Sequence, residues 1–415
     1  METLYAHYET ALVGELWLAE HGAFCFRYAA TWLEDERAFP ISLTLPLPRR
    51  EFHDGPAHTF FSNLLPEGAV RTAVCRRLGI SESNDFALLR AIGGECAGAL
   101  TIGSNARLPE QAVPTYERLT KKRLQRLLDD DELVPLLVGG PSTRLSLAGA
   151  QDKLPVALVD GELHLPLEGA PSTHILKLPN RRYAHLPINE AFVMGLARRI
   201  GMQVADVELD VELSPPCLLV ARYDRRPSSS GMIRLHQEDY CQALGFPSSR
   251  KYEQEDGPTF AAIAELTRSR LTRPLVDVNR LLEWQVFNVL AGNSDGHGKN
   301  LSVLYERQQA VVAPFYDIVA TRQYAKLDRK LALGIGGRRD PDQLQRDQWE
   351  QFARDVSVAP RLVIGIVERL SQQVRDELPA WVAEFRDRHG RQSILQTLPG
   401  SIDKRARSTL RRLRS

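Results

Sequence analysis

Apolar positions recur in short alternating runs over the first hundred residues. Glu15-Leu-Trp-Leu18, Ala23-Phe-Cys-Phe26 and Ile41-Ser-Leu-Thr-Leu45 read as strands, and a helical pattern from Gly68 to Leu78 stops at Gly79, a residue suited to the left-handed turn that ends helices. A small α/β unit is predicted there. The polar stretch Ser104 to Thr115 reads as a connection, and Leu124, Leu127 and Leu128 lie at helical spacing within Lys121 to Leu137. Strand patterns then return: Pro155-Val-Ala-Leu-Val159, an Asp160-Gly161 turn and Glu162-Leu-His-Leu165 predict a short-loop hairpin. His174-Ile-Leu-Lys-Leu178 and Cys217-Leu-Leu-Val-Ala-Arg-Tyr223 read as further strands around a helix from Ile188 to Ile200 closed by Gly201.

Beyond Pro227-Ser-Ser-Ser-Gly231, read as a flexible connection, helical spacing dominates. Val278, Leu281, Leu282, Val286, Val289 and Leu290 make one apolar face of a helix ending near Ala291. The predicted division is therefore 1–104, a small α/β subdomain; 105–140, linker and helix; 141–225, a sheet lobe; and 226–415, a helical lobe. The fold class is α+β, with a small β-rich lobe preceding a larger all-helical one.

At 415 residues the chain exceeds what one hydrophobic core organises, and 43% hydrophobic with 25% charged residues is ordinary for a globular protein. The five cysteines are odd in number and form no C-x-x-C pair, which points away from a disulfide framework or zinc site. The first residues carry no basic segment followed by an apolar core, and no apolar run is long enough to span a membrane, so a cytoplasmic, soluble protein without membrane partners is expected. A net charge of +1 implies no global attraction to nucleic acid. The tail from Lys404 to Ser415 holds six basic residues and no acidic one, which fits either phosphate tracking or a frayed, solvated helix.

Phosphoryl transfer needs a carboxylate near the attacking hydroxyl, oxygen ligands for magnesium and a cation on the nucleotide phosphates. In Asn293-Ser-Asp-Gly-His-Gly-Lys-Asn300, Asp295 and Asn300 stand five apart, the D-x-x-x-x-N spacing of a kinase base and metal ligand, and Asp317 in Pro314-Phe-Tyr-Asp317 supplies a second carboxylate, placed to bind magnesium. The bland alternative is a glycine-rich turn whose polar side chains satisfy backbone amides. Lys177 sits in an apolar strand pattern, where a lysine is unusual unless it is paired or faces a cleft. Glu190 either orients that lysine or favours its helix N-terminus. Ser146-Leu-Ala-Gly-Ala-Gln-Asp-Lys153 offers small residues that let backbone amides approach phosphates. His297 either presents its ring to a cleft between Gly296 and Gly298 or stabilises the turn. Gly292-Asn-Ser-Asp-Gly296 also matches the nucleophile elbow of a hydrolase, but a helix pattern precedes it where that motif needs a strand.

Taken together, Ser146 to Lys153, His174-Ile-Leu-Lys177, Arg222-Tyr-Asp-Arg225, Leu235-His-Gln-Glu-Asp-Tyr-Cys-Gln242, Asn293 to Asn300 and Tyr316-Asp317 resemble the bacterial HipA family of serine/threonine kinase toxins. Phe60-Phe-Ser-Asn-Leu-Leu-Pro-Glu-Gly68 is similar to that family's N-terminal signature. The resemblance implies a protein-kinase-like bilobal core, ATP and Mg2+ as cofactors, Asp295 as base, Asn300 and Asp317 as metal ligands, and nucleotide contacts from Lys177, Ala150, Gln151, Tyr223, Gln237 and Tyr316. It further implies autophosphorylation at Ser146, a translation component such as an aminoacyl-tRNA synthetase as substrate, growth arrest and persistence. A helix-turn-helix antitoxin similar to HipB is the implied partner, with operator DNA contacted mainly through that complex. Ala221 departs from members that carry glutamate ahead of the Arg-aromatic-Asp-Arg stretch, and Asp152 replaces the commoner glutamate. The rival to an enzyme is a catalytically weak scaffold acting as co-repressor with the antitoxin.

Overall fold

The computed structural model describes residues 2–108, 114–130, 153–179, 183, 185–229, 231–306 and 309–414, without the side chains of 127, 129 and 130. Two compact units emerge: Met1–Leu178 with Leu219–Ser248 and Ser302–Gln309, and Pro179–Leu218 with Ser249–Leu301 and Ala310–Ser415.

The first unit opens on an antiparallel sheet in the order β4-β3-β2-β1-β5, formed by β1 (Thr3–Tyr8), β2 (Ala11–Leu18), β3 (Phe24–Tyr28), β4 (Glu51–His53) and β5 (Leu100–Gly103). A Cβ on Gly14 would fall 2.5 Å from the Arg27 carbonyl oxygen and 2.6 Å from the Phe26 ring, so glycine is what lets β2 and β3 close. Helices Gly55–Ser62, Gly68–Leu78 and Asp85–Ile92 complete this domain. Gly79 ends the second of them in the left-handed conformation, as predicted. Phe26 packs on Phe61 at 5.4 Å between ring centres, and Phe24 on Phe86 at 6.0 Å. Each such buried side chain contributes about 1.5–3 kcal/mol.

The predicted strand at Ile41–Leu45 is a turn, with only an isolated bridge between Ser42 and Leu45. Ile41 N–H donates to the Tyr28 hydroxyl at 2.9 Å and Leu43 N–H to Glu238 Oε1 at 2.8 Å. Ile41 and Leu45 are both fully buried, which is why the alternation mimicked a strand.

Four neighbouring strands of a second, larger sheet run antiparallel in the order β9-β7-β8-β6: β6 (Thr115–Arg118), β7 (Lys153–Val159), β8 (Glu162–Leu167) and β9 (His174–Lys177). The predicted hairpin forms: Val159 pairs with Glu162, and Asp160 and Gly161 adopt φ of 50° and 80°, the two positive values a type I′ turn requires. Pro227, Ser228 and Gly231, read as part of a flexible connection, are strand residues. Arg225–Ser228 pairs with Gly231–Arg234 and sets Pro227 opposite Met232, in a two-stranded ribbon whose free edges tolerate proline's missing N–H. One more strand, His236–Asp239, follows before helical structure begins at Tyr240.

Within this unit a buried charge network links the N-terminal domain to the second sheet. Glu95 receives hydrogen bonds from Arg222 (2.9 Å), Arg225 (2.7 Å), Arg234 (2.6 Å) and the Ser172 hydroxyl (2.8 Å). Asp224 is gripped by both arms of Arg222 at 2.9 and 2.7 Å, and takes the Gly98 N–H at 2.8 Å. Burial alone would raise both carboxyls, but the surrounding guanidiniums hold Glu95 down at about 2 and Asp224 well below the usual carboxylate range. The remaining guanidinium donors reach the carbonyls of Cys96, Gly98 and Gly169, so few polar atoms of the cluster lack a partner.

The second unit is built on Leu186–Arg199, Phe260–Arg270, Pro274–Ala291, Arg346–Asp355, Pro360–His389 and Leu398–Arg414. Pro274–Ala291 begins with proline, whose φ is already set for a first helical turn, and stops at Gly292 with φ 75°. Leu281, Leu282, Trp284, Val286, Phe287 and Leu290 are buried along it, more of its circumference than one apolar face accounts for. The basic tail is not a frayed helix. Leu398, Ile402, Ala406, Leu410 and Leu413 bury one stripe of Leu398–Arg414. Among the described residues no helix is long and apolar enough to cross a membrane.

Candidate active site

Helix Pro274–Ala291 delivers the chain into the loop carrying Asp295, and the loop is braced almost residue by residue. Asn293 N–H donates to the Asn288 carbonyl at 2.9 Å, and the Asn293 side chain bonds Asn288 Oδ1 (3.0 Å) while accepting the Asp295 N–H (3.0 Å). Ser294 N–H donates to the Thr321 hydroxyl at 2.7 Å, and the Ser294 carbonyl accepts from Ala332 at 3.0 Å. Gly296 lies so close to Trp284 and Asn288 that a Cβ would fall 2.7 Å from Asn288 Nδ2. From 291 to 301 every residue is buried except Asp295, which is exposed. Its carboxylate accepts the Tyr252 hydroxyl at 2.7 Å.

Asn300 and Asp317 are brought together: Asn300 Nδ2 donates to Asp317 Oδ2 at 2.9 Å, while Asn300 Oδ1 accepts the His297 N–H at 3.1 Å. Tyr316 donates its hydroxyl to the Lys299 carbonyl at 2.8 Å, a second tie between the same two segments. Asp317 has φ 59°, a left-handed conformation uncommon outside glycine and tolerated best by Asn and Asp. The backbone around it is fixed by Arg280, which donates to the Val312 and Ala313 carbonyls (2.6 and 2.9 Å), and by Asn189, whose Oδ1 takes the Ala320 N–H at 2.9 Å. One carboxylate and one amide oxygen are the hard donors magnesium prefers, in the small number it takes from protein when phosphates and waters fill the rest. The pair supplies donors of this kind, with the Asn300 amide oxygen turned to the His297 N–H and its Nδ2 to Asp317.

His297 is 6% exposed, so the flanking glycines do not open its ring to a cleft. Burial, then the nearby Lys251 charge, holds it well below the usual histidine range, and the neutral ring packs edge-on to Tyr252 at 5.0 Å. The hydrolase-like match at Ser294 follows a helix rather than a strand, and Ser294 is itself buried.

Arg405 was not singled out by the sequence pattern. Its side chain donates to the carbonyls of Leu290 (2.9 Å) and Ala291 (2.6 Å), the last groups before the loop, and burial lowers its pKa to about 10. A Cβ on Gly292 would fall 2.6 Å from that guanidinium, so glycine and arginine occupy one space. Arg405→Ala is expected to cost about 1.5–3 kcal/mol, the worth of charge-assisted hydrogen bonds, read as a lower denaturant midpoint.

In the first unit, Lys177 ends β9 opposite Lys153 and is 6% exposed. Tyr223 and Gln237 meet: the Tyr223 hydroxyl donates to Gln237 Oε1, and Gln237 Nε2 donates to Asp224 Oδ2 at 3.0 Å. Glu190, in the second unit, is fully buried. Ser146, Ala150 and Gln151 lie outside the described residues.

Beside Gln237, Glu238 is fully buried and hydrogen-bonded by the Leu43 N–H and the Tyr305 hydroxyl. Burial pushes its pKa up to about 7 from 4.5. The folded state therefore holds a proton that the unfolded chain releases, so this group's contribution is full below pH 4.5 and is lost as pH rises to about 7. The loss is about 3 kcal/mol in all. Unfolding measured across that range should show the decline, and Glu238→Gln should flatten it.

A braced loop that exposes one aspartate, and a hydrogen-bonded Asn–Asp pair, are parts that a kinase-type phosphotransfer site needs. Residues 4–103 match the HipA N-terminal domain and residues 145–378 the HipA-like C-terminal domain. The chain is 39% identical over 407 residues to a putative kinase, Y4mE, of Sinorhizobium fredii, covering 95% of this chain and 97% of that one. It is 32% identical over 392 residues to the serine/threonine-protein kinase toxin HipA of Shewanella oneidensis, covering 90% and 87%. A solved complex of Shewanella oneidensis HipA, HipB and operator DNA superposes with a TM-score of 0.85 at 29% identity, covering 98% of this chain and 97% of that one. This chain belongs to the HipA family and is a HipA-type kinase toxin.

Proposed function

We propose that the chain transfers the γ-phosphoryl group of ATP to a serine or threonine hydroxyl of a translation protein, an aminoacyl-tRNA synthetase, and so arrests growth. The observation that carries this reading is the exposure of Asp295 alone in a buried loop, with Asn300 hydrogen-bonded to Asp317 at 2.9 Å. Asp295 takes the hydroxyl proton, and Asn300 and Asp317 hold magnesium, which when bound neutralises charge on the phosphates. Lys177, Tyr223 and Gln237 are proposed nucleotide contacts, together with Ala150, Gln151 and Tyr316. Glu190, fully buried in the helix that carries Asn189, is proposed as a supporting residue.

Ser146 is the proposed autophosphorylation site. A phosphate there adds about two negative charges to a loop proposed to bind phosphates, so nucleotide affinity would fall and activity limit itself. The Shewanella relative is seen with HipB and operator DNA, and a HipB-like helix-turn-helix antitoxin is proposed as partner here, with DNA contacted through that complex in the bacterial cytoplasm. Phosphoproteomics after induction tests the substrate class. Asp295-dependent phosphate is expected on a synthetase and on Ser146; labelling confined to proteins outside translation would overturn the proposed target.

A further inference from the structure

Asp295 presents a chemical problem that the loop alone does not solve. A general base works only within hydrogen-bond reach of the proton it removes, so contacts that orient an exposed carboxylate matter. The loop fixes the backbone end, through the Asp295 N–H on Asn293 Oδ1 at 3.0 Å. The carboxylate end is met by Tyr252, whose hydroxyl donates to Oδ1 at 2.7 Å.

We infer that Tyr252 is a positioning residue for phosphoryl transfer, holding one carboxylate oxygen of Asp295 so that the other meets the acceptor hydroxyl. The inference rests on the reading of Asp295 as the base. In the step it serves, the hydroxyl oxygen bonds to the γ-phosphorus as the bond to the β,γ-bridging oxygen breaks. That oxygen leaves with ADP, and the hydroxyl proton passes to the other carboxylate oxygen of Asp295.

Tyr252 is itself held on several sides. Its carbonyl accepts the N–H groups of Glu255 and Gly257, both at 3.0 Å. The adjoining Glu253 takes the Gly334 N–H on its carboxylate, and the Gly298 N–H reaches the Lys251 carbonyl at 3.4 Å. Gly257 closes this turn so tightly that a Cβ would fall 2.2 Å from the Arg250 carbonyl oxygen and 2.6 Å from that of Tyr252. The ring packs against His297. A phenol suits the task because it donates a hydrogen bond to the carboxylate without bringing a full positive charge, which would make the oxygen a poorer proton acceptor.

The test uses the purified, dephosphorylated full chain with γ-labelled ATP and magnesium, and an excess of the Asp295→Asn chain as phosphate acceptor. Tyr252→Phe should lower kcat ~10-fold or more, the scale of effect expected from a misplaced reacting group, with KM for ATP and the melting temperature unchanged. A wild-type kcat in Tyr252→Phe, with Asp295→Asn inactive as the enzyme, overturns the inference and leaves the base standing. Loss of kcat accompanied by a raised KM and a lowered melting temperature assigns Tyr252 a merely structural role and also overturns it. Retained activity in Asp295→Asn sinks the underlying reading instead.

Discussion

Asp295→Asn is expected to lower the rate of phosphate transfer by ~10²–10⁴-fold, the range for losing a positioned general base, while leaving the melting temperature unchanged. The side chain is exposed, so no packing is lost, and asparagine keeps an oxygen that still accepts the Tyr252 hydroxyl. What it lacks is the capacity to take a proton. Nucleotide affinity should be retained, because the residues proposed to hold the phosphates are elsewhere. A variant that bound ATP normally and transferred phosphate at the wild-type rate would remove Asp295 from the chemistry.

Glu95→Ala is expected to cost about 3–5 kcal/mol, the penalty for breaking a buried ion pair by removing one partner. Three guanidiniums, those of Arg222, Arg225 and Arg234, would lose the carboxylate they share, in a place where water does not reach. The melting temperature of this unit should fall by ~10 °C. Acid should act in the same direction: the pKa of Glu95 is lowered from 4.5 to about 2, so its contribution is present above pH 4.5 and fades as pH falls toward 2. Because Asp224 in this network also receives Gln237, nucleotide affinity should decline along with stability in Glu95→Ala. A melting temperature within a degree of wild type would show that the Glu95 carboxylate is not what holds these three guanidiniums in place.

What could be read from the sequence follows the range of the interactions involved. The helix ending at Gly79, the Asp160-Gly161 hairpin and the helix into the loop at Gly292 are set by neighbours a few residues apart, and all three are found. The spacing of Asp295, Asn300 and Asp317 marked a candidate site, and Asn300 and Asp317 do meet. Long-range partners left no local trace. Tyr252 lies 43 residues from Asp295, Arg222 lies 127 from Glu95, and Arg405 lies 115 from Leu290. Arg222-Tyr-Asp-Arg225 therefore read as a motif without revealing that its charges close a buried network. Two misreadings have physical causes. Ile41 and Leu45 alternate because a turn buries both, and Gly296 beside His297 reflects the space taken by Trp284 and Asn288 rather than an open cleft.

If the chain is itself a phosphotransferase, Asp295 is its proton acceptor. The most direct measurement is transfer of label from γ-labelled ATP to protein by the purified, dephosphorylated chain, with and without magnesium, beside Asp295→Asn and Asp317→Asn. Phosphoserine or phosphothreonine that requires magnesium and disappears in both variants is expected. No transfer by the unmodified, folded chain, or equal transfer by Asp295→Asn, would contradict it.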